Sequence, residues 1–171
     1  SFSFGGHVGM FAAIALGQHL ASFTVSGCSA LGLHPKLEAF PKEHSSMDAA
    51  ARREVHRRVL EILMISQPAR IDDLAIEIQA ANVAKARFRS REFARTTVIR
   101  DRLADVTVPL AAIWGARDVL AKPSVDAVFD VLRMHHPELI TRVVPDAGHW
   151  SMYEQADAFT AALLDVLAER A

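Results

Sequence analysis

A single cysteine, Cys28, is the most telling scarcity in this 171-residue chain. Alone it cannot close an internal disulfide, which points to a reducing compartment. Positive charge is not in excess either: Lys plus Arg number 19 against 20 for Asp plus Glu, a formal net charge of −1. A nucleic-acid binder would need a dominant basic surface, so that class is excluded. No apolar run approaches the roughly 18 residues of a spanning helix, and Met10 to Leu16 is among the longest. The first residues carry neither a basic leader region nor an initiating Met, so a cytoplasmic chain with no membrane partner is expected, its left end cut rather than begun. Repeats and low-complexity tracts are also lacking. What is present is ordinary: 51% hydrophobic and 23% charged residues, the balance of a globular protein. The length suits one domain, with room for an insertion.

The order of elements carries more. After Gly5-Gly6, Val8, Met10, Phe11, Ile14 and Leu16 among alanines predict a buried helix from about Gly6 to Ala21. Phe23–Ser26 reads as a short strand ending at Gly27, and Leu33 to Pro41, with two prolines, as a loop. Ser45 with Asp48 resembles a capping box, and Val55, Val59, Ile62 and Leu63 follow at helical spacing up to Pro68. A second helix is expected from Ile71 and a third over Ser90 to Leu103. These three interrupt an alternation that resumes with the apolar run Val108–Trp114, a strand buried on both faces. A helix over Ser124–Met134, a strand over Ile140–Val144 and a helix over Tyr153–Arg170 complete the chain. Strands alternating with helices predict an α/β fold, a parallel sheet flanked by helices.

Three positions stand out for chemistry. Ser1-Phe2-Ser3-Phe4-Gly5 fits small-x-Ser-x-Gly, the pattern of a serine on a sharp strand-to-helix turn whose neighbours two residues away must be small. Ser1 stands where a glycine is usual. The same pentapeptide also reads as a plain Ser/Gly-rich turn. Asp118 follows the strongest predicted strand, and His149 follows the last, within Pro145-Asp146-Ala147-Gly148-His149-Trp150. Ligand and catalytic groups of open parallel sheets collect after strand ends; an isolated Asp there can equally cap a helix, and an isolated His can be solvated. Cys28 reads as a small buried side chain and His7 as packing in the first turn of its helix. His34, His44, His56 and the pair His135-His136 lack metal-ligand spacing, so no zinc site is expected. Lys85, Arg87, Arg89, Arg91 and Arg95 form a basic run, either a solvated face or a group that attracts a substrate carboxylate.

Ser, Asp and His in that chain order resemble the alpha/beta-hydrolase family from its nucleophile elbow onward. Ser1 to Gly6 resembles the elbow, Ile113 to Asp118 the acid loop, and Ala147-Gly148-His149 with Glu154 beyond it the histidine loop. The resemblance implies three regions: residues 1–36 with the elbow, residues 37–104 as an inserted helical cap, and residues 105–171 as the C-terminal core. It implies Ser3 as nucleophile, His149 as general base, Asp118 as the group orienting the imidazole, and the Phe4 N–H as one oxyanion-hole donor. Arg87, Arg89, Arg91 and Trp150 are the candidate substrate contacts. The implied reaction is hydrolysis of an ester or of a C–C bond beside an activated carbonyl in a small-molecule substrate, with neither metal nor organic cofactor. The family's strands before the elbow, and the loop giving a second oxyanion donor, have no counterpart in residues 1–171. The isolated chain is therefore expected to be a weak catalyst, its nucleophile turn loose and its sheet edge open to a second copy or an N-terminal segment. The alternative is an incomplete or non-catalytic member serving as a ligand-binding or interaction protein.

Overall fold

A computed structural model describes residues 1–33, 37–88 and 90–170. Helix α1 spans Phe4–Leu16, strand β1 Phe23–Val25, and helices α2, α3 and α4 span Ala49–Val59, Asp73–Lys85 and Ser90–Ala94. Then come β2 (Leu110–Gly115), α5 (Val125–Arg133), β3 (Ile140–Val144), α6 (Ser151–Glu154) and α7 (Ala156–Ala168). The three strands pair in parallel in the order β1-β2-β3, with Val25 beside Ala112, and Ala112 beside Thr141. Phe2 adds a single parallel bridge to Ser26 on the outer side of β1.

Every residue of β2 is buried, as a central strand between two helical layers requires. Its alternation divides the core. Leu110, Ala112 and Trp114 join Met10 and Ala13 of α1 and Val128, Phe129 and Leu132 of α5. Ala111 and Ile113 pack on the opposite face with Val144 and with Val166 of α7. Successive side chains on a strand point to opposite faces, so one apolar strand holds both layers. The helices between β1 and β2 carry a smaller core of their own, Leu60, Ile65, Ile71, Ala75 and Ile76, against which Trp150 and Tyr153 pack.

Several boundaries differ from the sequence expectation, each for a local reason. The first helix begins two residues early, at Phe4, and stops at Leu16 because Gly17 adopts φ 47°, a backbone setting that glycine tolerates. Asp48, not Ser45, caps α2 by accepting from the Ala51 N–H at 2.8 Å. The helix then ends in a wider π turn, Leu60–Met64. The expected helix Ser90–Leu103 breaks after Ala94 and resumes as a 3-10 segment, Arg100–Asp105. There Thr96 Oγ1 donates to the Phe93 carbonyl at 2.7 Å, the side-chain competition that weakens helices at Thr. The last helix divides at Gln155, whose φ −136° and ψ 62° are not helical. Among the described residues no helix is long and apolar enough to cross a membrane.

Candidate active site

Ser3 stands between the Phe2 bridge and α1 with φ 50° and ψ −123°, a setting that costs a non-glycine residue about 1–3 kcal/mol and persists only where its surroundings enforce it. Three backbone hydrogen bonds do so: the Ser3 N–H donates to the Ser26 carbonyl at 2.9 Å, the Ser26 N–H to Ser1 at 2.9 Å, and the Ser1 amino group to Thr24 at 2.7 Å. Residues 1–3 thus extend the sheet by a short stub. This corrects the expectation of a loose turn, because these backbone bonds fix it from the left.

Asp118 and His149 arrive at the same end of the sheet from β2 and β3. The loops that carry them are bonded to each other, Ala116 N–H to the Val144 carbonyl at 2.9 Å and Arg117 N–H to that of Ala147 at 2.8 Å. Arg117 and Asp146 add an ion pair. Gly115 allows this approach, since a Cβ there would lie 2.1 Å from the Gly148 carbonyl oxygen. The three side chains converge. His149 Nε2 lies 3.0 Å from Ser3 Oγ, and Nδ1 lies 2.9 Å from Asp118 Oδ2. The other oxygen of Asp118 accepts from the Leu120 N–H at 2.9 Å, and the His149 and Asp118 side chains are each only 1% exposed. An ionised Asp118 can only accept, so Nδ1 donates to it and Nε2 keeps a lone pair directed at the Ser3 hydroxyl. The Phe4 N–H opens α1 and is one of the helix's first amides, which have no intrahelical acceptor.

Two further residues support this geometry, in roles the sequence did not disclose, although Glu154 was part of the histidine-loop resemblance. Gly27, at φ 61°, leaves room for the imidazole: a Cβ there would sit 2.8 Å from His149 Cε1. The turn after β1 made a glycine legible, but not its role beside a histidine over a hundred residues away. Glu154, 3% exposed, is the second. Its carboxylate accepts from Gly148 N–H at 2.7 Å, Gln67 N–H at 2.7 Å, Ser66 N–H at 3.0 Å and Ser66 Oγ at 2.8 Å. The Trp150 N–H donates to the Met64 carbonyl at 2.7 Å, so the histidine loop and the helical segment are tied together at adjacent points.

A cavity of about 920 Å³ opens beside Ser3 and His149, between the strand ends and the helical segment, a size suited to a small-molecule ligand. Of the expected substrate contacts, Arg91 lines it, stacked with its guanidinium 4.7 Å from the Phe40 ring centre. Arg87 does not line it and is exposed. Arg89 lies outside the described residues. Trp150 also faces elsewhere, stacked on Tyr153 at 5.0 Å within the small core of the helical segment; an apolar ring beside a histidine loop packs where apolar neighbours are. Lys42 and Arg95 line the cavity instead, as does Cys28, whose thiol burial pushes up to about 12. A thiol held that high is not a nucleophile near neutral pH.

The sequence matches no family model and no curated protein. Solved structures match over nearly the whole chain. A protein assigned as an aryl esterase from Burkholderia cenocepacia superposes with a TM-score of 0.70 at 24% identity, over 99% of this chain and 62% of its own. A serine hydrolase involved in carbazole degradation gives 0.67 at 18%, over 98% and 61%. A meta-cleavage product hydrolase from Pseudomonas fluorescens gives 0.70 at 14%, over 100% and 64%. The chain has the alpha/beta-hydrolase fold. It spans about three fifths of the length of these alpha/beta-hydrolase structures.

Proposed function

We propose that the chain carries the Ser-His-Asp machinery of an alpha/beta-type serine hydrolase acting on an ester or a similarly activated carbonyl. The single observation that carries this reading is the hydrogen-bonded line Asp118–His149–Ser3, buried at Asp118 and His149 and ending on a half-buried serine held at positive φ beside a large cavity. In the proposed cycle Ser3 Oγ attacks the carbonyl carbon while His149 Nε2 takes its proton, and Asp118 stabilises the imidazolium. The Phe4 N–H donates to the oxyanion that forms. Collapse expels the alcohol or carbon leaving group, which receives the proton from His149. Water, deprotonated by His149, then cleaves the acyl-Ser3 bond and releases the carboxylic acid. The descriptions of the matched structures, an aryl esterase, a serine hydrolase and a meta-cleavage product hydrolase, lend this reading support. Residues 37–104 act in it as a cap over the cavity, which Arg91 and Arg95 line while remaining exposed.

The test is acylation by an activated short-chain ester, followed by intact mass, beside a Ser3→Ala control. A covalent acyl adduct that forms on the chain and is absent from the variant is the expected result. Equal adduct or equal turnover in both proteins overturns the assignment.

One observation favours a companion reading. Beyond residues 1–3 no described strand pairs on the β1 side of the sheet, and Val8, Phe11 and Leu16 of α1 are 58, 44 and 46% exposed. We infer that this edge and helix face receive another strand-bearing segment, a second copy or an N-terminal one.

A further inference from the structure

Burial and polarity change together along the cavity. Its buried and half-buried walls are mostly apolar, with Phe4, Cys28, Leu31, Leu120 and Val128 among them. The carboxylate, ammonium and guanidinium groups of the lining belong to Glu38, Lys42, Arg91 and Arg95, and all four residues are exposed. The acid among them is already offset, since Glu38 Oε2 lies 3.0 Å from Arg58 Nη2. Among the described residues no carboxylate pairs with Lys42, Arg91 or Arg95, whereas Arg52, Arg53, Arg58, Arg102, Arg117 and Arg142 each have one. Arg91 is nevertheless held in place, its guanidinium 4.7 Å from the Phe40 ring centre. Ser90, Arg91, Ala94 and Arg95 all line the cavity, so one side of α4 and its end turns toward it. Outside the lining, Lys85 and Arg87 are exposed as well. Residues 85–95 hold five cationic residues against one acid, Glu92, in a chain of net charge −1. Positive charge therefore lies at the exposed rim of the cavity and continues outward from it, with the apolar surface inside.

A single anion on the acyl group would call for a cation within the apolar part. Cations spread over an exposed rim suit several negative charges on a group that stays outside. We propose that Lys42, Arg91 and Arg95 form a subsite at the rim for phosphate groups on the leaving side of the substrate, so that thioesters of a phosphorylated thiol, of the coenzyme A kind, are a preferred class. This rests on the hydrolase reading for the reaction, and not for the binding. Arg91 and Arg95 supply planar forks that pair phosphate oxygens, and Lys42 adds a compact ammonium. The apolar interior takes the acyl chain, with its carbonyl at Ser3. There the bond from Ser3 Oγ to the acyl carbon forms and the C–S bond breaks. The thiol leaves with the proton that His149 took from Ser3, and water then releases the acid through the same histidine. The phosphates stay intact and hold the leaving group at the rim. Because that rim is exposed, its attraction is open to screening by salt.

The experiment has two arms. In the first, acylation of Ser3 by butyryl-coenzyme A and by S-butyryl-pantetheine is followed by intact mass in single turnover. Both deliver the same acyl group, so their ratio reads only the phosphorylated nucleotide of the leaving thiol. In the second, coenzyme A and pantetheine are titrated onto the Ser3→Ala protein. The phosphorylated probe should be favoured about tenfold in both arms at low salt, the scale of one charge-assisted hydrogen bond. At about 0.5 M salt, where charges a few Å apart are screened, the two should draw nearly level. The low-salt ratio should fall to near one when Arg91→Gln and Arg95→Gln are combined, and in part in Lys42→Gln. It should persist in Arg102→Gln, an arginine that pairs with Asp105 and does not line the cavity. Equal acylation and equal binding of both probes, or a ratio that survives the double variant, would overturn the proposal. So would a preference indifferent to salt, which would come from the adenine. A preference for S-succinyl- over S-butyryl-pantetheine, with none for the coenzyme A thioester, would put the anion on the acyl side and overturn it too. Failure of both thioesters to acylate, with the salt-sensitive binding ratio intact, would instead sink the hydrolase reading and support the rim site.

Discussion

The two halves of the candidate site are built differently. One half, Asp118 with His149, sits on loops that bond to each other, and the His149 loop bonds also to the helical segment. Glu154 alone accepts four hydrogen bonds there, and three of its donors belong to Ser66 and Gln67. The other half, Ser3, rests on a stub of three residues pinned by backbone bonds to β1 and Ser26, beside a helix face with exposed Val8, Phe11 and Leu16. Buried charge-assisted bonds fix the first half from within. The second half is fixed on its left by backbone bonds alone. The comparison teaches that the imidazole is aimed by buried side-chain bonds drawn from distant segments, the serine by backbone bonds to its neighbouring strand.

Substitutions can break or sharpen that contrast. The largest effect is expected from Asp118→Asn, which removes the acceptor that fixes the imidazole tautomer and should slow Ser3 acylation about 10⁴-fold; a loss below tenfold would mean Asp118 does not serve His149. Next, Glu154→Ala strands the buried amides of Ser66, Gln67 and Gly148 and should cost at least about 3 kcal/mol in urea unfolding. A cost near zero would remove the claimed brace of the histidine loop. Two glycines sharpen the picture further. Gly27→Ala and Gly17→Ala both place a side chain at positive φ, each at roughly 1–2 kcal/mol of stability. Only the first meets His149, since the nearest atom to a Cβ at 17 is Thr107 Oγ1 at 4.0 Å, so only Gly27→Ala should also depress acylation. The smallest effect on stability belongs to Phe11→Ser on the exposed face of α1, within about 0.5 kcal/mol. It should nonetheless reduce concentration-dependent association in sedimentation, and a chain monomeric at every concentration would contradict the open-edge account.

Much of this arrangement was legible in the residues. The run ending at Trp114 could only be a strand buried on both faces, and β1 and β3 matched their β-branched runs closely. The positions of Ser3, Asp118 and His149 after separate elements marked them before any distance was measured. Less visible were features made by contacts distant in sequence. Nothing near Gly27 signals a histidine ring, and nothing in the sequence around Glu154 signals Ser66. The basic run was less legible for a related reason: helical spacing does not say which arginines border a cavity, and of the described members of that run Arg91 and Arg95 do. Trp150 misled because its neighbour in sequence, His149, enters the site while Trp150 packs on Tyr153. The third predicted helix failed where Thr96 and Thr97 bond to the local backbone and to Asp101 rather than continuing the turn.

The central claim is that Ser3 is activated by His149, and a fluorophosphonate tests it most directly. Such reagents phosphonylate an activated serine and leave ordinary hydroxyls unmodified. Labelling of the chain followed by peptide mass mapping should place one adduct on Ser3, absent in Ser3→Ala and strongly slowed in His149→Ala. An unlabelled chain, or adducts scattered over other serines at rates indifferent to His149, would contradict the account.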